Sequence, residues 1–418
     1  MFRVTLSLAL LLVAPLAVAE PAAAVKAFGE LRQSLLRDKG QQDWKAYLAD
    51  AQHLKTFLNG SPDGALELSR AYLQVGNSPQ ALVEAQAFVA MGQVHPLLES
   101  TLFQPLHASL EAQIQRNESE VSLGRQAFAL SDAGLLPEDI DFDVKTKQFF
   151  VTAILQHKIV ALDLQGAAHD FAVAPDHWPM LAVKVDVQRR RLWATEVAFE
   201  GFAVVPANEQ GRSVLLQYDL DRGTLLSRFE GPAKSALGDM VLSPEGVPIV
   251  SDGEGGGIYQ LRGKRLQRID RGDFVSPQTI ALCPKDHTLF VPDYVRGVAR
   301  LDPATGKATW ITSDGRYALV GTDGLYCRNL TLIATQNGTA PERVVAFELD
   351  KTRSFVVGER PIEHNTHTLG DPTHGVFVGD EFYYIANSGW DVLDEHGNVK
   401  SGSKLTPASI RHVKIATP

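Results

Sequence analysis

The sequence predicts a mainly β protein: a six-bladed β-propeller preceded by a small all-α domain. Two observations carry this prediction, a repeated pattern of short apolar segments after residue 118 and helical periodicity before it. A third, an apolar leader, predicts export. The chain has 418 residues, too many for one compact core. We divide it at residues 1–19 (signal peptide), 20–118 (helical domain) and 119–418 (propeller).

The leader reads MFRVTLSLALLLVAPLAVAE and has the parts of a secretory signal peptide. Arg3 supplies a positive charge, an apolar run follows, and the small residues Ala17 and Ala19 suit cleavage after Ala19. The run is shorter than the about 20 residues that a membrane-spanning helix needs. We therefore expect a secreted or periplasmic protein without a membrane span, and a bacterial source.

The charge balance argues against one class of partner. Lys and Arg number 40 against 49 Asp and Glu, a net charge of −9, and no run of like charge stands out. A nucleic-acid surface needs clustered positive charge. We expect no nucleic-acid partner.

The helical domain centres on the segment DGALELSRAYLQVGNSPQALVEAQAFVAMGQVHP. Apolar residues follow helical spacing on both sides of a break at Gly76-Asn77, and the small residues Ala71 and Ala81 allow two helices to approach closely. The segment resembles a tetratricopeptide repeat, which cannot bury its own faces, so residues 43–58 and 96–114 should complete it. Such a domain either docks a protein partner or caps the propeller, and we favour the cap.

The propeller is predicted from six similar segments, each an apolar strand, a tight turn and a second apolar strand. The copies begin at Leu136, Trp178, Leu237, Ser276, Val320 and Asp371. An insertion after the second copy, EVAFEGFAVVPANEQGRS, should lie over the mouth of the central channel. Residues 122–130 should pair near 408–415 to close the ring. A β-sandwich does not explain six similar units.

Residues at the starts of the inner strands should converge on the channel axis. They are Glu138 and Asp139, Met180 and Leu181, Gly238 and Asp239, Gln278 and Thr279, Thr322 and Asp323, and Thr373 and His374. Carboxylate and amide oxygens directed at one axis suit Ca²⁺, Mg²⁺ or Mn²⁺. Zn²⁺ is the alternative if His364, His367 and His374 gather, although we expect the first two to be solvated loop residues.

The motifs PEDIDFD, GDMVLSPEG, SPQTIALCPKD, TDGLYC and DPTHGVFVGDEFYYIANSGWD carry a family resemblance. The chain resembles the senescence marker protein/gluconolactonase-like (regucalcin-type) superfamily over roughly residues 128–394, and strictosidine synthase-like proteins more loosely. The resemblance implies a divalent cation held by Glu138, Asp323 and Gln278, where Gln278 replaces an Asn of the family. It also implies substrate contact near Asp239, and His374 has a position facing the channel.

These residues support two hypotheses of different classes. In the first, a divalent cation polarises a lactone or small ester, Asp323 is the catalytic general base, and Asp239 and His374 contact the substrate. In the second, the protein is a non-enzymatic binding protein that recruits a partner through its helices and one propeller face. Glu138 and Asp323 then cap strands or bind a structural ion. The two cysteines, Cys283 and Cys327, are either disulfide-bonded or free buried thiols.

Overall fold

The computed structural model describes residues 21–415, so the predicted signal peptide lies outside the described residues. Within that range no helix combines the length and apolar character needed to cross a membrane. The described chain begins with helices and continues as strands, in the order predicted.

Five α-helices form the first part of the described chain. They are α1 (Ala23–Gln41), α2 (Trp44–Phe57), α3 (Pro62–Gln74), α4 (Ser78–Ala90) and α5 (Gln104–Asn117), with a short 3₁₀ turn at Pro96–Glu99. Side chains of Asp43, Ser61 and Asn77 cap the starts of α2, α3 and α4. Ala71 and Ala81 are fully buried. The Ser69 hydroxyl donates to the Ala81 carbonyl at 2.7 Å, so α3 and α4 lie close together.

The strands form six sheets arranged as the blades of a propeller, which confirms the predicted fold. Two short strands, β1 (Val121–Ser122) and β2 (Arg125–Ala129), come first. Blade one contains β3 (Pro137–Asp143), β4 (Gln148–Ala153), β5 (Lys158–Leu162) and β6 (Ala168–Val173). Blade two contains β7 (Met180–Asp186), β8 (Arg191–Ala198), β9 (Arg212–Asp219) and β10 (Leu225–Glu230). Blade three contains β11 (Leu237–Leu242), β12 (Pro248–Asp252), β13 (Gly257–Arg262) and β14 (Arg265–Arg268).

The remaining blades follow in chain order. Blade four contains β15 (Ala281–Leu282), β16 (Leu289–Asp293), β17 (Gly297–Asp302) and β18 (Lys307–Trp310). Blade five contains β19 (Gly324–Arg328), β20 (Thr331–Gln336), β21 (Arg343–Leu349) and β22 (Val356–His364), with β1 as a fifth strand. Blade six contains β23 (Gly375–Val378), β24 (Glu381–Ile385) and β25 (Ser409–Lys414), and β2 is its outermost strand. A second 3₁₀ turn lies at Trp390–Val392.

The ring closes as the sequence predicts, because β2 pairs with β25. Arg125 lies opposite His412 and Ala129 lies opposite Ser409. Phe128 of β2 is buried in the core shared with β4. The pairing of β1 with β22, Val121 opposite His364, was not predicted and extends blade five by one strand. A sheet completed by both ends of the described chain leaves no gap in the ring.

The helices pack against the end of the ring at which the inner strands start. In an antiparallel blade, the turn between the second and third strands and the connection to the next blade share that end. Ala22 N–H donates to Gly255 O of the β12–β13 turn at 3.1 Å, and Val94 N–H donates to Ala340 O of the β20–β21 turn. Arg296, in the β16–β17 turn, lies over the Phe57 ring at 4.4 Å. The helices therefore cap the ring, as we favoured; partner docking stays a prediction.

A disulfide joins blades four and five. Cys283 follows β15, Cys327 lies in β19, and their sulfur atoms are bonded. Both residues are buried, 1% and 6% exposed. From the sequence alone, a disulfide and a pair of free buried thiols were both possible. The bond links two inner strands whose starts contribute to the site described next.

Candidate functional site

Polar side chains from several blades meet at the channel axis. Glu138 lies at the start of β3 and Asp239 at the start of β11, while Asp323 and His374 immediately precede β19 and β23. The pairing of β3 with β4 and of β11 with β12 shifts register at this point. Such bulges re-aim side chains at the ends of strands. All four residues are buried.

Glu138, Asp323 and His374 form the centre of this group. One potential ligand atom from each lies within 4.8 Å of the others, although the three residues come from blades one, five and six. His374 is completely buried, and the two carboxyl groups are 8% and 7% exposed. The structure therefore brings together three residues that were predicted from their equivalent positions in the repeats.

His374 is held by hydrogen bonds at both ring nitrogens. Nδ1 lies 2.7 Å from the Glu138 backbone carbonyl, which only accepts, so Nδ1 donates. Nε2 bonds the Asp239 carboxylate, whose Oδ1 also accepts from the Thr279 hydroxyl at 2.7 Å. Burial opposes a charge on this ring, but the carboxylates of Asp239 and Asp139 outweigh it and raise the pKa of His374 well above its usual range. Both ring nitrogens of His374 thus face acceptors, and the neighbouring carboxylates favour the charged form of the ring.

The two carboxyl groups facing His374 are hard to ionise. Burial and the neighbouring Asp323 carboxylate raise the pKa of Glu138 well above its ordinary value. The Trp390 indole N–H donates to Glu138 Oε2. Burial also raises the pKa of Asp323 to about 7, against the lowering effect of His374. Asp323 Oδ2 accepts from the Asn337 amide at 2.8 Å, and the Asn337 oxygen accepts from the Tyr294 hydroxyl at 2.9 Å.

The donor set fits a hard divalent cation. Two buried carboxyl groups whose pKa values are raised by burial and by like charge gain most from a cation between them. His374 contributes no free lone pair while both nitrogens donate, so oxygen ligands dominate and favour Ca²⁺, Mg²⁺ or Mn²⁺ over Zn²⁺. His364 does not join the group: its Nδ1 lies 3.0 Å from the Ser119 carbonyl, and His367 is exposed. The expectation of two solvated loop histidines holds for His367 only, because His364 is buried.

Other predicted residues take different positions. The Gln278 amide nitrogen donates to Ser276 Oγ at 3.1 Å within its own loop, so a ligand role for Gln278 stays a prediction. Thr279 is the residue of blade four that reaches Asp239. Asp139 accepts from Val183 N–H at 2.8 Å and forms an ion pair with Lys184, so its carboxylate is held by blade two.

Three contacts were missed by sequence reasoning: Asn337, Tyr294 and Trp390. All lie in loops or turns outside the repeated phase that identified the axial residues. Trp390 stands in the quoted motif DPTHGVFVGDEFYYIANSGWD, and Asn337 follows β20 directly. The positions of these residues in the motifs were visible in the sequence, but they did not indicate that the side chains point toward the channel axis.

No family model and no curated protein matches the chain. Solved structures do match. The calcium-binding protein regucalcin from Agrobacterium tumefaciens is 17% identical, with a TM-score of 0.47 over 70% of this chain and 95% of that one. A gluconolactonase from Xanthomonas campestris is 14% identical, with a TM-score of 0.45 over 70% and 88%.

A third structure, virginiamycin B lyase from Staphylococcus aureus, is 12% identical, with a TM-score of 0.46 over 71% of this chain and 99% of that one. The predicted six-bladed propeller is confirmed by the six sheets of the structure, and gluconolactonase and regucalcin structures are among those to which this chain is similar. At these identities the likeness concerns the fold alone.

Proposed function

We propose that the axial site binds one divalent cation and hydrolyses a lactone or similar small ester, and that the protein is exported. The observation that carries the proposal is the meeting of Glu138 and Asp323 with His374 at one buried point. The predicted leader supports the export part.

The cation would be held by the Glu138 and Asp323 carboxylates, with Gln278 as a further predicted ligand. When bound, it would polarise the ester carbonyl and lower the pKa of water. Both carboxyl groups would hold it in their ionised forms, because only those are good ligands.

The protein groups near the cation would each have a separate role in the reaction. Asp323 would take a proton from the attacking water through the carboxylate oxygen that does not hold the cation, and Asn337 fixes its orientation. The His374 imidazolium favours the negative charge that develops on the substrate oxygen. Asp239 and Thr279 act through His374 by holding its ring in place.

The test compares cation content and hydrolysis in three variants. Asp323→Asn and Glu138→Gln remove charge at the axis with little change in volume, and Asp302→Asn, at the exposed end of β17 in blade four, is the control. We expect one divalent ion per wild-type chain by elemental analysis and proton release from a lactone panel in a pH-stat. Both should be lost in the axial variants and kept in Asp302→Asn. An ion-free wild type without hydrolysis would refute the proposal.

A further inference from the structure

Two loops at the mouth end of the ring join into one layer. They are residues 199–211, between β8 and β9, and residues 386–408, between β24 and β25; we call them together the cover. Ala203 N–H donates to His396 O at 2.9 Å, and His396 Nδ1 lies 3.1 Å from Gly201 O, which only accepts. The predicted insertion after the second repeat is therefore part of a layer at the mouth.

Trp390 begins the 3₁₀ turn of the cover, and its side chain is held on several sides. Its ring meets the Phe199 ring edge to face at 6.2 Å, which joins the two loops. It also packs against the closed apolar cluster, including Leu136 and Leu393, that seats the cover on the ring. Leu393 N–H donates to Trp390 O at 3.0 Å and closes the turn. The direction of the indole is thus set by the cover.

The indole N–H of Trp390 distinguishes the two oxygens of the Glu138 carboxylate. Oε2 accepts from this N–H. Oε1 lies 4.0 Å from Nδ1 of His374, so it is the oxygen on the side of the axial group. A carboxyl group rotates over a broad range about its last bond unless one of its oxygens is held. The contact with Trp390 therefore keeps Oε1 directed toward the point where Asp323 and His374 meet.

Glu138 differs from Asp323 in the origin of the group that orients it. Asp323 accepts from the amide of Asn337, which directly follows β20 and belongs to blade five. Glu138 accepts from Trp390, which belongs to the connection between β24 and β25 and to the cover. One carboxyl group of the site is thus oriented by the ring itself, and the other is oriented by a loop that lies on the ring.

We infer that Trp390 is a positioning residue of the cation site, through which the cover sets the orientation of Glu138. The inference rests on the cation site of the proposed function and does not depend on the reaction. Removing a hydrogen-bond partner of a metal-binding side chain typically lowers metal affinity by about 10–100-fold. Trp390→Phe removes the N–H donor and keeps an aromatic ring beside Phe199.

The experiment is calorimetric titration of wild type, Trp390→Phe and Trp193→Phe with Ca²⁺, Mg²⁺ and Mn²⁺ in turn. Trp193→Phe is the matched control, because it removes a buried indole N–H that has no hydrogen-bond partner among the described residues. We expect wild-type affinity in the control and a loss of roughly ten-fold or more in Trp390→Phe. Thermal melts of both variants verify folding. Equal affinity in Trp390→Phe and wild type would overturn the inference and leave the cation site in place.

Indole signals provide a second test, which does not need Trp390→Phe to fold. Protein labelled with 15N-tryptophan contains five indole N–H groups. The signal that moves in Glu138→Gln should also shift when the ion binds to the wild type, because the acceptor of Trp390 becomes a ligand. Ion binding that leaves all the indole signals in place would overturn the inference.

The outcomes also separate this inference from the proposed function. If none of the three ions binds the wild type, the cation site is refuted and the inference falls with it. If an ion binds and Trp390→Phe weakens it as expected, the inference holds even when no lactone is hydrolysed, and only the proposed reaction is refuted.

Discussion

A buried carboxyl group away from the axis offers a measurable pH effect on stability. Glu196 in β8 is completely buried, and burial, followed by the Asp176 charge, raises its pKa to about 8 from an ordinary value of 4.5. Oε1 accepts N–H groups of Asp176 and Trp178, whereas Oε2 has no hydrogen-bond partner among the described residues. The folded protein therefore keeps this group protonated at neutral pH.

The sign follows from the proton count. Between pH 4.5 and about pH 8 the folded state binds more protons at Glu196 than the unfolded state, so stability falls as pH rises through this window. A separation of about 3.5 pH units at 1.36 kcal/mol per unit gives a loss of up to about 5 kcal/mol. Glu196→Gln keeps the accepting oxygen and removes the titration, so the variant should avoid this loss.

The assay is urea unfolding of wild type and Glu196→Gln at about pH 4.5 and about pH 8, the two ends of the window. The difference in unfolding free energy should be small at the lower pH and favour the variant by several kcal/mol at the higher one. Glu348→Gln, at an exposed position of β21, is the control and should follow the wild type. Parallel pH profiles for wild type and Glu196→Gln would refute the reasoning.

Three further predictions follow from other contacts. Replacing both Cys283 and Cys327 by alanine should lower the unfolding free energy by about 4 kcal/mol in denaturant titrations, because the disulfide closes a loop with a sequence separation of 44; an unchanged midpoint would contradict this. Arg296→Ala should cost about 2–3 kcal/mol in thermal unfolding, since it removes ring contacts with Phe57 and Trp310 and hydrogen bonds to the carbonyls of Phe57 and Asp273; an unchanged melting temperature would argue against these contacts as an anchor of the helices. Calcium affinity, measured calorimetrically, should fall as the pH is lowered below about pH 7, because protons compete for Asp323, which alone gives up to about ten-fold per pH unit, and also for Glu138; pH-independent affinity would count against a ligand role.

The fold was predictable because its signal is repeated along the chain. Each blade shows the same alternation of apolar strand and polar turn, so six weak local patterns reinforce one another. Ring closure followed from the unpaired strands at the two ends of the repeat. The pairing of Val121 and Ser122 with β22 was not predictable, since a two-residue strand has no periodicity.

The site was predictable only to within one residue. Neighbouring residues of a strand point to opposite faces, so a shift of one position exchanges an axial side chain for a lateral one. Phase alone did not decide between Gln278 and Thr279, and Thr279 is the one that bonds Asp239. Trp390 lies far from Glu138 in sequence, and their contact depends on how the segment between β24 and β25 folds back over the ring.

The double attachment of the helices has a consequence for assembly. The start of α1 is fixed to blades three and four through Ala22 and Ala24, while the chain after α5 enters blades five and six as β1 and β2. If the helices moved away from the ring, β1 and β2 would have to leave the two sheets that they complete. The helices therefore stay beside the mouth because the chain that follows them takes part in closing the ring. A chain shortened before β25 would lose the closure of the ring and, with it, the pairing of β2, one of the attachments that hold the helices.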